Sequence, residues 1–201
     1  MRDFVAALRH KWTKRSAPAR QRMWDQQYAS GFGDLLSRRE EQQRYATLVD
    51  FMVSAEKNQA ILDVGCGEGI LLDFLEPFGY QQYLGFDFSA VAIQNASKRA
   101  NARATFVRGS AESFVPDGRF DCIVFNECLY YLPDPMPVLR RFVPYLARDG
   151  VIIVSMLMKT DSVKRLASEV CRTYAVDRSA SSTYPDGTPV RTMLARPRVA
   201  L

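Results

Sequence analysis

The most constraining feature of this 201-residue chain is the segment Ile61-Leu62-Asp63-Val64-Gly65-Cys66-Gly67-Glu68-Gly69. A short apolar run, right for a buried strand, passes into glycines at alternate positions, and residues 70–75 then take up a helical pattern. Glycines at such a junction let the chain turn tightly and let a ligand lie directly against the backbone. The strand, turn and helix sequence then repeats. Residues 83–86 read as a second strand, and Ser89 can cap a helix running to about residue 100. Residues 105–107 and 120–125 read as a third and a fourth strand. Asp134-Pro135 supplies a cap and a first-turn proline for a helix whose inner face is Leu139, Phe142, Val143 and Leu146, with Pro144 kinking or ending it. Gly150 precedes a fifth strand, 151–155. This alternation predicts an α/β fold: a parallel, Rossmann-like sheet with helices on both faces.

The ends of the chain differ. Phe4, Leu8 and Trp12 fall at helical spacing, Ser16-Ala17-Pro18 breaks that helix, and Gly31 and Gly33 mark a loop. Tyr45, Leu48, Val49 and Met52 then give a helix with one buried face. Downstream, residues 161–170 read as a helix. Residues 172–176 and 190–195 read as an antiparallel pair at the end of the sheet, parted by a Pro185-Asp186-Gly187 turn. We therefore expect a helical arm or cap over residues 1–56 and a core over 57–201.

Composition narrows the function classes. With 47% apolar and 24% charged residues the chain is globular rather than disordered. No apolar run has the length of a membrane span, and the N-terminus lacks the unbroken apolar stretch of a secretory signal. The four cysteines make no C-x-x-C pair and no metal spacing with His10, the only histidine, so free thiols, a cytoplasmic location and no metal are expected. The net charge of +5 is unevenly placed. Of 27 Lys/Arg and 22 Asp/Glu, seven bases and one acid lie in residues 1–22, leaving 20 bases against 21 acids beyond. The positive charge therefore belongs to an arm, which is either a solvated segment or a grip on a phosphate-bearing substrate, RNA or an anionic membrane surface.

Four segments carry candidate chemistry. In the first, G-x-G-x-G replaces the G-x-G-x-x-G of dinucleotide sites, and no Gly-Lys-Ser/Thr marks a P-loop. Asp63, at the strand's end, can accept hydrogen bonds from a cationic amine such as a sulfonium amino acid carries. In the second, Asp87 ends the second strand, where a carboxylate can take both hydroxyls of a ribose, with Phe88 and Ser89 following. The third, Ser110-Ala111-Glu112, follows the third strand where an adenine would be bordered. In the fourth, Asn126 and Glu127 end the fourth strand and Tyr130 and Tyr131 follow, beyond the carboxyl ends where open α/β sheets bind ligands.

In this order the segments resemble the class I S-adenosylmethionine-dependent methyltransferases. Asp63, Gly65, Cys66, Gly67 and Gly69 fall on the family's first motif, Asp87 on its ribose acid, Ser110-Ala111-Glu112 on its adenine loop and residues 126–132 on its fourth motif. The resemblance implies a seven-stranded sheet whose last strand inserts antiparallel beside the fifth, an N-terminal segment capping the site, and Trp24, Tyr28 and Arg44 facing the cofactor's methionine end. It implies S-adenosyl-L-methionine as cofactor and S-adenosyl-L-homocysteine as product. Residues 126–132 are also similar to the nodulation-type N-methyltransferases and related small-molecule enzymes. The [DNS]-Pro-Pro-[Tyr/Phe] motif of nucleic-acid amino-methylating enzymes is missing, as is the histidine that many relatives place near Tyr131.

The expected reaction is methyl transfer to an O or N atom of a small-molecule acceptor, with Glu127, Tyr130 and Tyr131 as candidate acid–base or orienting groups. The competing readings are an RNA or protein methyltransferase gripping its partner with the basic arm, a non-catalytic cofactor-binding protein and, last, an NAD enzyme.

Overall fold

A computed structural model of the protein describes residues 15–36, 39–184 and 186–198. The sheet consists of β1 (Ala60–Val64), β2 (Gln82–Asp87), β3 (Ala104–Arg108), β4 (Phe120–Asn126), β5 (Leu146–Leu157), β6 (Tyr174–Thr183) and β7 (Pro189–Pro197). Its order is β3-β2-β1-β4-β5-β7-β6. The first five strands run parallel, and β7 enters antiparallel between β5 and β6. The chain leaves β1 toward β2 and later returns to β1's other side with β4. The carboxyl ends of β1 and β4 thus flank the switch point where open α/β sheets form their ligand crevice.

The helices are α1 (Ala17–Ala29), α2 (Phe32–Leu36), α3 (Arg39–Ser54), α4 (Ile70–Leu75), α5 (Ala90–Ala96), α6 (Pro135–Phe142) and α7 (Asp161–Thr173). Side-chain parity sorts each strand between two apolar layers. Ile61, Cys122, Val124, Val151 and Ile153 face the layer built with α3, α4 and α5. Leu62, Val64, Ile123, Phe125, Ile152 and Val154 face the layer built with α6 and α7. Both faces are covered, which is why these strands read as continuous apolar runs rather than alternating ones. No helix among the described residues is long and apolar enough to cross a membrane.

Several elements depart from the expectations. Ser16-Ala17-Pro18 opens a helix of its own, a role beyond the expected break. Pro18 sits in the first turn of α1, where its missing N–H is not needed, and the Ser16 carbonyl accepts the amides of Ala19 and Arg20. Gly33 lies inside α2 rather than in a loop. The helix after Ser89 is regular only to Ala96 and tightens into a 3-10 turn over Ser97–Arg99. Asp134 flanks α6 without a side-chain cap bond, and Leu146 belongs to β5. Arg172 is the penultimate residue of α7, and β6 runs on through Thr183 because its serines pair with β7 at the sheet edge. The helical pattern of Phe4, Leu8 and Trp12 lies outside the described residues.

Phe142 anchors the α6 layer, fully buried with its ring centroid 5.9 Å from that of Phe86 and 5.7 Å from that of Phe125. Phe142→Ala is expected to lower the unfolding free energy by about 3–5 kcal/mol, read as a shift in the urea midpoint. An unshifted midpoint would show that α6 does not depend on this ring.

Candidate active site

The parity that builds the two layers also builds the site. Asp63, Asn126 and Ser155 stand near the ends of β1, β4 and β5 on the face that looks toward α3. In register, Asp63 lies beside Val124, and Asn126 beside Ser155. This face is apolar below them and turns polar at its carboxyl edge. From α3, Arg44 answers with a guanidinium that is only 2% exposed. It donates to the Asn126 side-chain oxygen and to Glu41 Oε2 at 3.0 Å, and it lies over the Tyr45 ring at 4.4 Å. The Tyr184 hydroxyl, at the end of the β6–β7 hairpin's first strand, also donates to Glu41 Oε2. Glu41 and Tyr184 carry no motif and are separated by 143 residues, so this network left no trace in the sequence.

Asp63 is 2% exposed. The Tyr83 hydroxyl donates to its Oδ2 at 2.5 Å, while Oδ1 is buried without a hydrogen-bond partner among the described residues. Burial pushes the carboxyl up to about 7, against the lowering effect of Tyr83, and the charge of Asp87 adds to the rise. A buried carboxylate with one unmatched oxygen fits a cationic amine, the group a sulfonium amino acid presents.

Asp87 ends β2 and holds the glycine loop. Its Oδ2 accepts the Gly67 amide at 3.1 Å and its Oδ1 the Ser89 amide at 2.8 Å. Burial raises it to about 6, with the Ser89 and Gly67 amides pulling the other way. Each oxygen keeps a further lone pair, so the carboxylate can also accept a pair of vicinal hydroxyls. Gly65 and Gly67 have positive φ, 68° and 55°. A Cβ at Gly67 would stand 2.7 Å from the Tyr28 hydroxyl, and one at Gly65 2.8 Å from Cys128 Cβ, so neither position takes a side chain without strain.

A cavity opens beyond these strand ends. Gly65, Asp87, Phe88, Ser110, Ala111, Glu112 and Tyr131 all line it. Ser89 is instead fully buried, with its hydroxyl oxygen accepting the Ala92 amide as the cap of α5. The Cys66 thiol turns to the Gly67 carbonyl, and Gly69 packs its open face against Phe106. On α1, the sequence reading named Trp24 and Tyr28 but missed Arg20 and Asp25. Arg20 and Trp24 line the cavity. Asp25 accepts the Ser89 hydroxyl at 2.6 Å, and Trp24 meets Tyr131 edge-on at 5.2 Å. Tyr28 is buried and stacks on Trp24 at 5.7 Å.

Glu127 has a left-handed backbone, φ 56°. Its carboxylate accepts the Tyr130 hydroxyl at 2.5 Å, the Ser155 hydroxyl at 2.8 Å and the Leu157 amide at 3.1 Å. Burial raises its carboxyl while Arg44, Tyr130 and Ser155 oppose the rise. Of the three candidates for acid–base work, Tyr131 lines this cavity, its ring centroid 4.5 Å from that of Tyr130, whose hydroxyl is held by Glu127. Among the described residues no group of three or more His, Cys, Asp or Glu side chains is gathered as for a metal.

The methyltransferase domain family matches residues 37–195. This chain belongs to that family. Its strand order is that of the class I methyltransferase fold. It is 30% identical over 127 residues to the mitochondrial ubiquinone biosynthesis O-methyltransferase of Schizosaccharomyces pombe, covering 57% of this chain and 46% of that protein. It is 26% identical over 122 residues to the ribosomal protein L11 methyltransferase of Burkholderia cenocepacia, covering 61% of this chain and 38% of that one. The chain thus spans less than half the length of these curated relatives. In fold it is similar to the N-methyltransferase NodS of Bradyrhizobium japonicum WM9, solved with S-adenosyl-L-homocysteine, at TM-score 0.70 and 19% identity, covering 82% of this chain and 91% of that one.

The raised Asp63 has a consequence for stability. Its ordinary value is 3.8 and its folded value about 7, so between these the native state binds more protons than the unfolded one. The stability Asp63 contributes is present below about pH 4 and is lost as pH rises toward 7. Asp63→Asn is expected to remove that loss, on the order of a few kcal/mol, from urea unfolding followed between pH 4 and 8. Parallel pH profiles for the two proteins would refute the shift.

Proposed function

We propose that this chain transfers the methyl group of S-adenosyl-L-methionine to an O or N atom of a small-molecule acceptor. The carrying observation is the pair of buried carboxyls flanking the glycine loop, one with an unmatched oxygen and one aimed into the cavity. Asp63 would hold the cofactor's ammonium, and Asp87 its ribose hydroxyls. Gly65 and Gly67 would leave room for the chain between them, and Ser110 to Glu112 would border the adenine. Arg44 and Asn126 would stabilise the carboxylate end from the α3 face, with Glu41 and Tyr184 keeping Arg44 in place.

When bound, the cofactor supplies an electrophilic methyl on a sulfonium sulfur. The protein's task is to place a nucleophile in line with that bond and to exclude water. Trp24, Phe32 and Tyr131 form an aromatic wall suited to this, with Trp24 5.7 Å from Phe32 and 5.2 Å from Tyr131. A wall of this kind fits a compact acceptor with apolar surface. Tyr131 would face the acceptor. Glu127 acts through Tyr130 as a positioning residue, which leaves proton removal to Tyr131 or solvent. An amine acceptor, which sheds its proton after transfer, needs least from such a site. The small-molecule reading agrees with the name of the ubiquinone biosynthesis O-methyltransferase; the L11 methyltransferase, named for a protein, is the alternative.

The test is calorimetry with S-adenosyl-L-homocysteine on wild type and Asp87→Ala, followed by methyl transfer from labelled cofactor to a panel of small amines and phenols. Micromolar binding is expected in wild type, with at least about tenfold loss in Asp87→Ala, because a charged acceptor of two hydroxyls is removed. Tyr131→Phe is expected to lower turnover with product affinity unchanged. Absence of binding in wild type would refute the cofactor reading. Methylation of a ribosomal protein but of no small molecule would refute the acceptor class.

A further inference from the structure

The structure assigns Arg20 as a base-binding residue: its guanidinium is the cationic wall of the slot that takes the cofactor's adenine. This rests on the cofactor reading above and extends it to a residue outside every motif.

Arg20 enters from α1 and is 7% exposed, an unusual state for an arginine. Its Nη2 lies 2.7 Å from both carboxylate oxygens of Glu112, and its Nη1 donates to the Arg15 carbonyl at 3.2 Å. Glu112 is half-exposed and stands 92 residues away, in the loop that follows β3. An ion pair needed only for stability gains little from such a site and sits more cheaply at the surface. Here the anchored guanidinium instead lines the same cavity as Phe88, Ser110, Ala111 and Leu132. Those residues give the slot apolar contacts and backbone edges, and Arg20 adds a planar cation that Glu112 fixes in place. An electron-rich purine meets such a plane through cation–π attraction and stacking, a contact lysine cannot reproduce because its ammonium has no plane.

The test is calorimetry on the whole chain with two probes, S-adenosyl-L-homocysteine and adenosine. The variants are Arg20→Met, Arg20→Lys and Asp25→Ala, each with its melting temperature recorded. Arg20→Lys keeps a charge opposite Glu112, so the test survives if Arg20→Met fails to fold. Asp25→Ala loosens α1 at the start of α5 while keeping both Arg20 and Glu112. A base contact is expected to cost about tenfold in affinity for both probes equally in the Arg20 variants, and less than about threefold in Asp25→Ala. Wild-type affinity in the Arg20 variants would overturn the assignment. So would a loss for S-adenosyl-L-homocysteine that clearly exceeds the loss for adenosine, or an equal loss in Asp25→Ala, since both mark α1 as a mere anchor. These outcomes leave the cofactor reading intact; only a wild type that binds neither probe removes both.

Discussion

The burial of the Asp63 carboxyl at the end of the central strand is the constraint on which the rest of the site depends. Parity puts this side chain on the α3 face, between Tyr83 and the polar edge made by Asn126 and Ser155, where water cannot reach it. One oxygen is answered by Tyr83 and the other is left over. A fold built for stability alone would place an apolar residue there, as the neighbouring Ile61, Leu62 and Val64 are. The carboxyl is tolerated because it can take up a proton, and it is useful because a cation can replace that proton.

The polar edge is held from two distant parts of the chain. Arg44 on α3 meets Asn126 at the end of β4, and Tyr184 reaches Glu41 from the β6–β7 hairpin. The insertion of β7 beside β5 brings that hairpin over α3, so the topology of the last two strands bears directly on the polar edge around Arg44. Glu127 shows the same logic in a residue that invites a different reading. Its position after β4 makes it an attractive base, yet its turn conformation delivers the carboxylate to Ser155, Leu157 and Tyr130, where it ties β4 to β5.

Helix α1 gives the crevice its outer wall. Arg20, Trp24 and Tyr28 fall at i, i+4 and i+8, so one stripe of the helix reaches the loop after β3, the aromatic residue after β4 and the glycine loop after β1. Asp25 adds the start of α5. A single helix thus touches the loops after β1, β2, β3 and β4, and the shape of the cavity beyond them depends on its docking.

The sequence by itself determined the central sheet, the glycine turn and the two acids that end β1 and β2. These depend on local grammar: an apolar run, a turn that only glycine permits, and a helix that starts within a few residues. It also determined the helix through Tyr45, Leu48, Val49 and Met52, because a buried apolar face repeats at helical spacing. The tertiary structure decided what lacks such a signal. The inward stripe of α1 begins with an arginine, and Pro18 gives no sign by itself that the helix it opens docks on the loops. Glu41, Tyr184, Ser155 and Arg20 find their roles in partners far along the chain, and the direction of the Glu127 carboxylate is set by a backbone angle that no residue type announces. Contacts of that kind exist only once the sheet has brought its strand ends together.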